Sequence, residues 1–424
     1  MRRMKDSGVE WIGEIPEEWE LNRVKSICET NPVCKQYPNP QEYVSYAPME
    51  CVKNGYMESR LIQLSKAASG LTFFADGDII MAKVTPCFEN GNIALAQNLS
   101  NGVGFGSSEL FVFRPQGILT KWFYYFLQNP AFIDRCKSTM TGTGGLKRVS
   151  LAFIRDYILA VPGITEQEAI SDCLDYQTSR INNLIAANET QIKRLKQYKQ
   201  SLITETVTRG LDPNVPMKDS GVEWIGMIPA DWAVFPSKYM FAEQNERRRD
   251  GDEQLTASQK YGMISQHEYM EREQSRIVMA DKGLENWKHI EPNDFVISLR
   301  SFQGGLEMSG VSGCVTWHYI VLRASRNLCC SYYKWLFKSS AYITALQMTC
   351  NYIRDGQDLR YSNFVKVPLC EPPLSEQKAI AAYLDSQTLK IDALISLKQR
   401  KIEKLKQYRQ SLIYECVTGK QDLR

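Results

Sequence analysis

The chain has 424 residues, room for two to four domains at roughly 100–200 residues each. Its 43% hydrophobic and 23% charged residues exclude wholesale disorder and a collagen-like or purely coiled-coil chain. A net charge of +3, from 51 basic and 48 acidic residues, neither requires nor forbids a nucleic-acid partner, because binding charge is local.

No apolar run reaches the ~18 residues of a membrane span. The start, Met1-Arg2-Arg3-Met4-Lys5-Asp6, is basic without the apolar stretch of a signal peptide, so a cytoplasmic chain is expected. The twelve cysteines form no C-x-x-C pair, and His267, His289 and His318 form no H-x-x-x-H. Buried, reduced thiols and no metal site are expected.

In chain order, the first element is the segment Met4-Lys5-Asp6-Ser7-Gly8-Val9-Glu10-Trp11-Ile12-Gly13, continued by Ile15-Pro16 and Trp19. A body of alternating apolar runs and turn signals follows, with Asp76-Gly77, Asn90-Gly91 and Asn101-Gly102 as turns. Within it Ile79-Ile80-Met81 reads as a strand and 122–127 as a short helix.

Val161-Pro162-Gly163-Ile164 forms a hinge into a long helix. Thr165 offers a capping hydroxyl ahead of Glu166 and Gln167. Leu174, Ile181, Asn188, Leu195 and Leu202 recur at seven-residue spacing, with Ile170, Leu184 and Tyr198 as a companion row. That is coiled-coil patterning. Gly210 and Pro213 stop the helix.

The order then repeats. Met217 to Gly226 restates Met4 to Gly13 residue for residue, and Ile228-Pro229 and Trp232 complete it. The second body has turns at Pro292-Asn293 and Gly304-Gly305, a strand at 319–322 and a helix at 332–337. Asn293-Asp294-Phe295-Val296-Ile297 answers Gly77-Asp78-Ile79-Ile80-Met81, and His318 to Arg323 answers Glu109 to Arg114. Glu371-Pro372-Pro373-Leu374 is the second hinge. Ser375 stands before Glu376-Gln377, and the seam reads Leu384, Ile391, Lys398, Leu405 and Leu412, with Ile380, Leu394 and Tyr408 beside it. Gly419 ends the helix.

The expected fold is α+β: two tandem mixed α/β bodies and two long helices packed as an antiparallel coiled coil, a pseudo-twofold internal repeat. The expected division is 1–163, 164–210, 211–373 (with 209–217 as linker) and 374–424. Forty-odd residues at 1.5 Å make each helix a rod of roughly 60 Å. Asn188 and Lys398 occupy equivalent mid-helix positions and are expected to meet as a polar layer.

Catalytic signatures are missing. Gly142-Thr143-Gly144-Gly145-Leu146-Lys147-Arg148 has the wrong spacing for a phosphate loop. Glu371-Pro372-Pro373-Leu374 lacks both the amide and the aromatic of an adenine-methyltransferase tetrad. All three histidines fall in the second body, so a histidine-based site in two equivalent bodies is not expected.

Binding remains. Lys83, Lys147, Arg148, Arg247, Arg248, Arg300, Gln303, Arg354, Gln357 and Arg360 are the candidate DNA-binding residues. Arginine and glutamine forks match base edges in the major groove, while lysines hold phosphates.

The repeated Gly-Val-Glu-Trp-Ile-Gly-x-Ile-Pro-x-x-Trp opening resembles the start of each target-recognition domain in the specificity subunits of type I restriction–modification enzymes. So do the Glu-Gln-x-x-Ile helix entry, the Lys-Gln-Tyr-x-Gln-Ser-Leu-Ile helix end and Gly106-Ser107-Ser108-Glu109. The resemblance implies that each body reads one half of a split double-stranded DNA target and that the helices set the gap. It implies docking of two adenine-N6 methyltransferase subunits carrying S-adenosylmethionine, and separate motor-nuclease subunits using ATP and Mg²⁺. This chain would bind none of these cofactors and would be non-catalytic. Two unlike bodies imply an asymmetric target with two unlike half-sites. A self-contained restriction or modification enzyme, and a coiled-coil scaffold that binds protein, are the competing readings.

Overall fold

The computed structural model describes residues 2–35, 39–66, 70–276, 283–298, 301–349 and 359–422. They form two compact units. The first comprises 1–189 with 400–424, and the second comprises 190–399. The division falls inside both long helices, Ile164–Arg209 and Leu374–Val417. Each unit therefore holds one body, the start of one helix and the end of the other. No helix among the described residues is long and apolar enough to cross a membrane.

Both bodies are built on one antiparallel sheet. In the first unit its strand order is Cys28–Thr30, Leu110–Pro115, Ile79–Ala82, Ile93–Leu95. In the second it is Phe241–Gln244, Ile320–Ala324, Phe295–Ile297, Glu307–Met308. The inner strands are short and almost wholly apolar, because helices and loops cover both faces. The likeness between Asp78 and Asp294 and between Arg114 and Arg323 has a physical basis. Each arginine donates two hydrogen bonds to its buried aspartate at 2.6–2.8 Å, tying one inner strand to the next.

Outside this sheet the units part company. The first has a second four-stranded sheet in which Tyr43–Ala47 runs parallel to Val103–Gly106. The second has two separate ladders there, Leu255–Ser258 with Gly262–Ser265 and Lys288–Ile290 with Gly313–Val315.

The repeated opening segment makes the same hairpin twice, Met4–Asp6 with Glu14–Pro16 and Met217–Asp219 with Met227–Pro229. Its buried tryptophan is clamped to the start of the long helix. Trp19 Nε1 donates to Glu166 at 3.0 Å and Trp232 Nε1 to Glu376 at 2.8 Å. The neighbouring glutamine closes the joint. Gln167 accepts from the Leu119 amide and donates to the Pro162 carbonyl, and Gln377 does the same with Cys329 and Pro372.

Thr165 and Ser375 are not caps. The helices already begin at Ile164 and Leu374, where the Gly163 carbonyl accepts from the Glu166 and Gln167 amides and the Pro373 carbonyl from those of Glu376 and Gln377. Gly210 and Gly419 leave the helices at φ +79° and +72°. At Gly419 an added Cβ would lie 2.5 Å from the Pro16 ring, so the helix stop and the hairpin share one space.

In each unit the helices run antiparallel. Asn182 accepts from Arg409 at 2.8 Å in the first. In the second, Lys199 meets Asp392 at 2.7 Å, and Lys398 donates to Gln191. Leu174, Ile181 and Leu412 are buried in the first unit's core, and Leu384 and Ile391 in the second unit. Leu195, Leu202 and Leu405 are half-buried.

Asn188 Nδ2 donates to the Leu184 carbonyl at 2.7 Å within its own helix. One expectation fails in part. In the companion row Ile170 and Ile380 are buried, whereas Leu184 (47%), Leu394 (47%), Tyr198 (58%) and Tyr408 (56%) are exposed. A strict heptad row drifts by about 20° per heptad on a straight helix, so it walks off the contact line.

Candidate nucleic-acid interface

In the first unit three of the candidate residues meet at one end of the inner sheet. The Leu110↔Ala82 pairing continues one step further, with the Lys83 amide donating to the Glu109 carbonyl at 3.1 Å. The next residues hold a glycine-rich hairpin. Thr141 and Arg148 exchange backbone hydrogen bonds of 3.1 and 2.8 Å, and the Val149 amide bonds the Lys83 carbonyl at 3.0 Å. Thr85 Oγ1 donates to the Gly145 carbonyl at 2.8 Å and accepts from the Lys147 amide at 3.0 Å. At Gly142 a Cβ would come within 2.0 Å of the Leu146 carbonyl, so only glycine closes this turn.

Charge is concentrated there. Arg148 donates through Nε and Nη2 to the two Glu109 oxygens at 2.9 and 2.8 Å. That contact holds the Glu109 carboxyl below its ordinary pKa, assisted by the positive charge of Lys83. Lys83 Nζ donates to the Ser108 carbonyl at 2.6 Å and lies over the Phe111 ring. Lys147 is exposed. Glu109 was not among the candidates. Its only sequence signal is its place at the end of Gly106-Ser107-Ser108-Glu109, since Arg148 is far along the chain.

The second unit is arranged differently. Arg247 is exposed and pairs by backbone with Lys288. Arg248 is half-buried, and its Nε is buried without a hydrogen-bond partner. Its positive charge lies by the Cys314 thiol, which burial pushes up to about 11. Arg249 is tied to Glu246 and Glu291. Gln303 is exposed on the short helix Ser301–Gly304. Arg360 precedes the helix Tyr361–Phe364, where its amide donates to Asn363 Oδ1 at 3.0 Å. Arg300, Arg354 and Gln357 lie outside the described residues. The position that answers Glu109 is His318, stacked on an exposed Trp317, so this unit has no carboxylate there.

Residues 16–194 match the family model of the type I restriction modification DNA specificity domain. This segment is similar to that family's domain. The matched segment spans the first body and the start of its helix, including Lys83, Glu109 and Arg148. One relative is the EcoEI type I restriction enzyme specificity subunit of Escherichia coli, 36% identical over 37% of this chain and 27% of its own length. The chain thus matches only about a quarter of that relative. The putative MjaX specificity subunit of Methanocaldococcus jannaschii is 24% identical over 96% of this chain and 95% of its own. Among solved structures, one from work on complex assembly and conformational transition of the type I R-M system has a TM-score of 0.70. Its identity is 16%, and the match covers 96% of this chain and 99% of that one. The fold of that chain therefore extends over both units.

Proposed function

We propose that this chain is the non-catalytic specificity subunit of a type I restriction–modification enzyme, and that each unit reads one half of an asymmetric bipartite DNA target. One observation carries the reading. The inner sheet, the hairpin and the helix clamp are the same in both units, while the outer strands and the charged end of the sheet differ. A shared frame with two unlike reading surfaces suits two unlike half-sites.

The long helices set the gap between half-sites and dock two methyltransferase subunits. Each unit offers one exposed Leu–Tyr pair for this. Because Asn182 faces Arg409 and Lys199 faces Asp392, Leu184 and Tyr408 stand level in the first unit, as do Tyr198 and Leu394 in the second. Two equivalent apolar patches fit two copies of one partner. The methyltransferase carries S-adenosylmethionine. Motor-nuclease subunits carry ATP and Mg²⁺, and this chain binds none of these. It works in the cytoplasm, where DNA and these partners are.

Coexpression with the neighbouring methyltransferase gene, followed by single-molecule mapping of methylated adenines, tests the reading. The expected result is one motif of two unlike half-sites around a nonspecific spacer. A contiguous or palindromic motif, or methylation by this chain alone, would refute it.

A further inference from the structure

Arg148 is held more firmly than a loop arginine needs to be. Its backbone pairs with Thr141 on one side and bridges to Val84 on the other. Thr85 pins the adjoining Gly145 and Lys147, and the turn at Gly142 admits no side chain. The guanidinium is then fixed by two hydrogen bonds to Glu109, both along its Nε–Nη2 edge. Three N–H groups remain, two on Nη1 and one on Nη2, and they form a second fork facing away from the carboxylate.

Two kinds of DNA acceptor could meet that fork. A phosphate is favoured by net positive charge, and an arginine already neutralised by a carboxylate offers little. Lys147, exposed on the same hairpin, is better suited to that task. A base edge asks instead for two donors at fixed separation and direction. In the major groove only guanine presents two adjacent acceptors, O6 and N7, to such a fork.

We infer that Arg148 reads a guanine in the half-site of the first unit, and that Glu109 is the residue that positions its guanidinium. This rests on the DNA-recognition reading above and adds the base. The second unit has His318 where the first has Glu109, so its half-site is read by other means.

The test uses the full chain copurified with its methyltransferase, and synthetic duplexes carrying the mapped methylation motif. In each duplex one guanine is replaced by 7-deazaguanine, which lacks the N7 acceptor. Wild-type binding falls roughly 5- to 100-fold at one guanine, in line with the worth of a bidentate arginine contact. R148A and R148K bind the unmodified motif more weakly by a similar factor and no longer respond to the replacement at that guanine. E109A keeps a response there, reduced several-fold, and E109Q falls between it and wild type. The slope of binding against salt is unchanged in R148A, whereas K147A weakens all duplexes alike and lowers the slope by about one.

The assignment is overturned if R148A and R148K keep the 7-deazaguanine penalty at every guanine. It is overturned equally if neither half-site contains a G·C pair, or if R148A lowers the salt slope as K147A does. Should the wild-type complex bind its motif no better than a scrambled duplex, DNA recognition by this chain fails, and the guanine contact with it.

Discussion

Glu166 and Glu376 occupy equivalent places in the two clamps, yet their loss should have unequal cost. Each accepts a hydrogen bond from a buried indole, and Ala in either place strands that donor at about 1–3 kcal/mol. Glu166 has a second duty. It takes two hydrogen bonds from Arg2, whose side chain is 5% exposed against 12% for Glu166. The second unit has Val215 where Arg2 would stand, so Glu376 carries no such charge. Unit charges about 4 Å apart attract by about 4 kcal/mol at an effective dielectric near 20. Removing one partner of a buried pair costs about 3–5 kcal/mol, because the other charge is left uncompensated. Glu18, 3.5 Å from Arg2 and largely exposed, holds the value to the lower part of that range. E166A should therefore destabilise the first unit by about 3–4 kcal/mol and E376A the second by about 1–3 kcal/mol. Hydrogen-exchange mass spectrometry across a urea series reads the two units separately. Adding R2M to E166A should recover most of the difference, since the stranded charge goes with it. Equal losses in the two units, or no recovery in the double variant, would refute the reasoning.

Three further outcomes are expected. L184D should remove one methyltransferase copy from the assembled complex and L184D/L394D both, by native mass spectrometry, with the fold unchanged because both side chains are exposed; retention of two copies by the double variant would move the docking site elsewhere. His289 gives the second unit a pH dependence: burial opposes its charge, but Asp252 at 2.8 Å and Glu291 at 2.9 Å outweigh this and raise its pKa above 6.5. Glu291 is drawn down to about 2 by His289, Ser312 and Arg249. The histidine's contribution is thus complete below about pH 6.5 and lost as pH climbs through the raised value, while that of Glu291 is complete above 4.5 and lost as pH falls toward 2. Amide protection of the Lys288–Ile290 and Gly313–Val315 ladder, corrected for intrinsic exchange, should peak between those limits and decline as pH rises through the raised histidine value, and a flat profile would count against the network. Finally, G419A should cost the first unit about 1–3 kcal/mol from its left-handed backbone and more from the Pro16 ring, measured by the same exchange series, whereas a neutral result would mean that the hairpin does not press on the helix end.

The repeat, the long helices and their stops were legible because they rest on local patterns: identical text, seven-residue spacing, and glycine where φ must be positive. The inner strands were legible too, and the Asp78–Arg114 and Asp294–Arg323 pairs show why their flanks look alike in otherwise divergent bodies. Register was not. Ile170 is buried while Leu184 and Tyr198, further along the same seven-residue row, are exposed, and the spacing alone does not tell where the row leaves the contact line. The outer sheet of the first unit was hidden because Tyr43–Ala47 pairs in parallel with a strand far along the chain. The Glu109–Arg148 contact was hidden for the same reason: its members meet only once the sheet end and the glycine hairpin are both in place.

The first unit is assembled from two distant stretches of chain, and this bears on how it is made. Leu412, Ile413, Cys416 and Val417 belong to the same apolar core as Trp19, Ile170 and Leu174. On a ribosome, residues 1–189 emerge long before 400–424, whereas the second unit is one unbroken stretch, 190–399. The later-encoded unit can thus fold to completion first, while the earlier one waits with part of its core uncovered. A nascent chain is exposed to chaperones and proteases throughout that interval, and a stalled or prematurely terminated product never leaves it. Only a message translated through Val417 yields a first unit that closes.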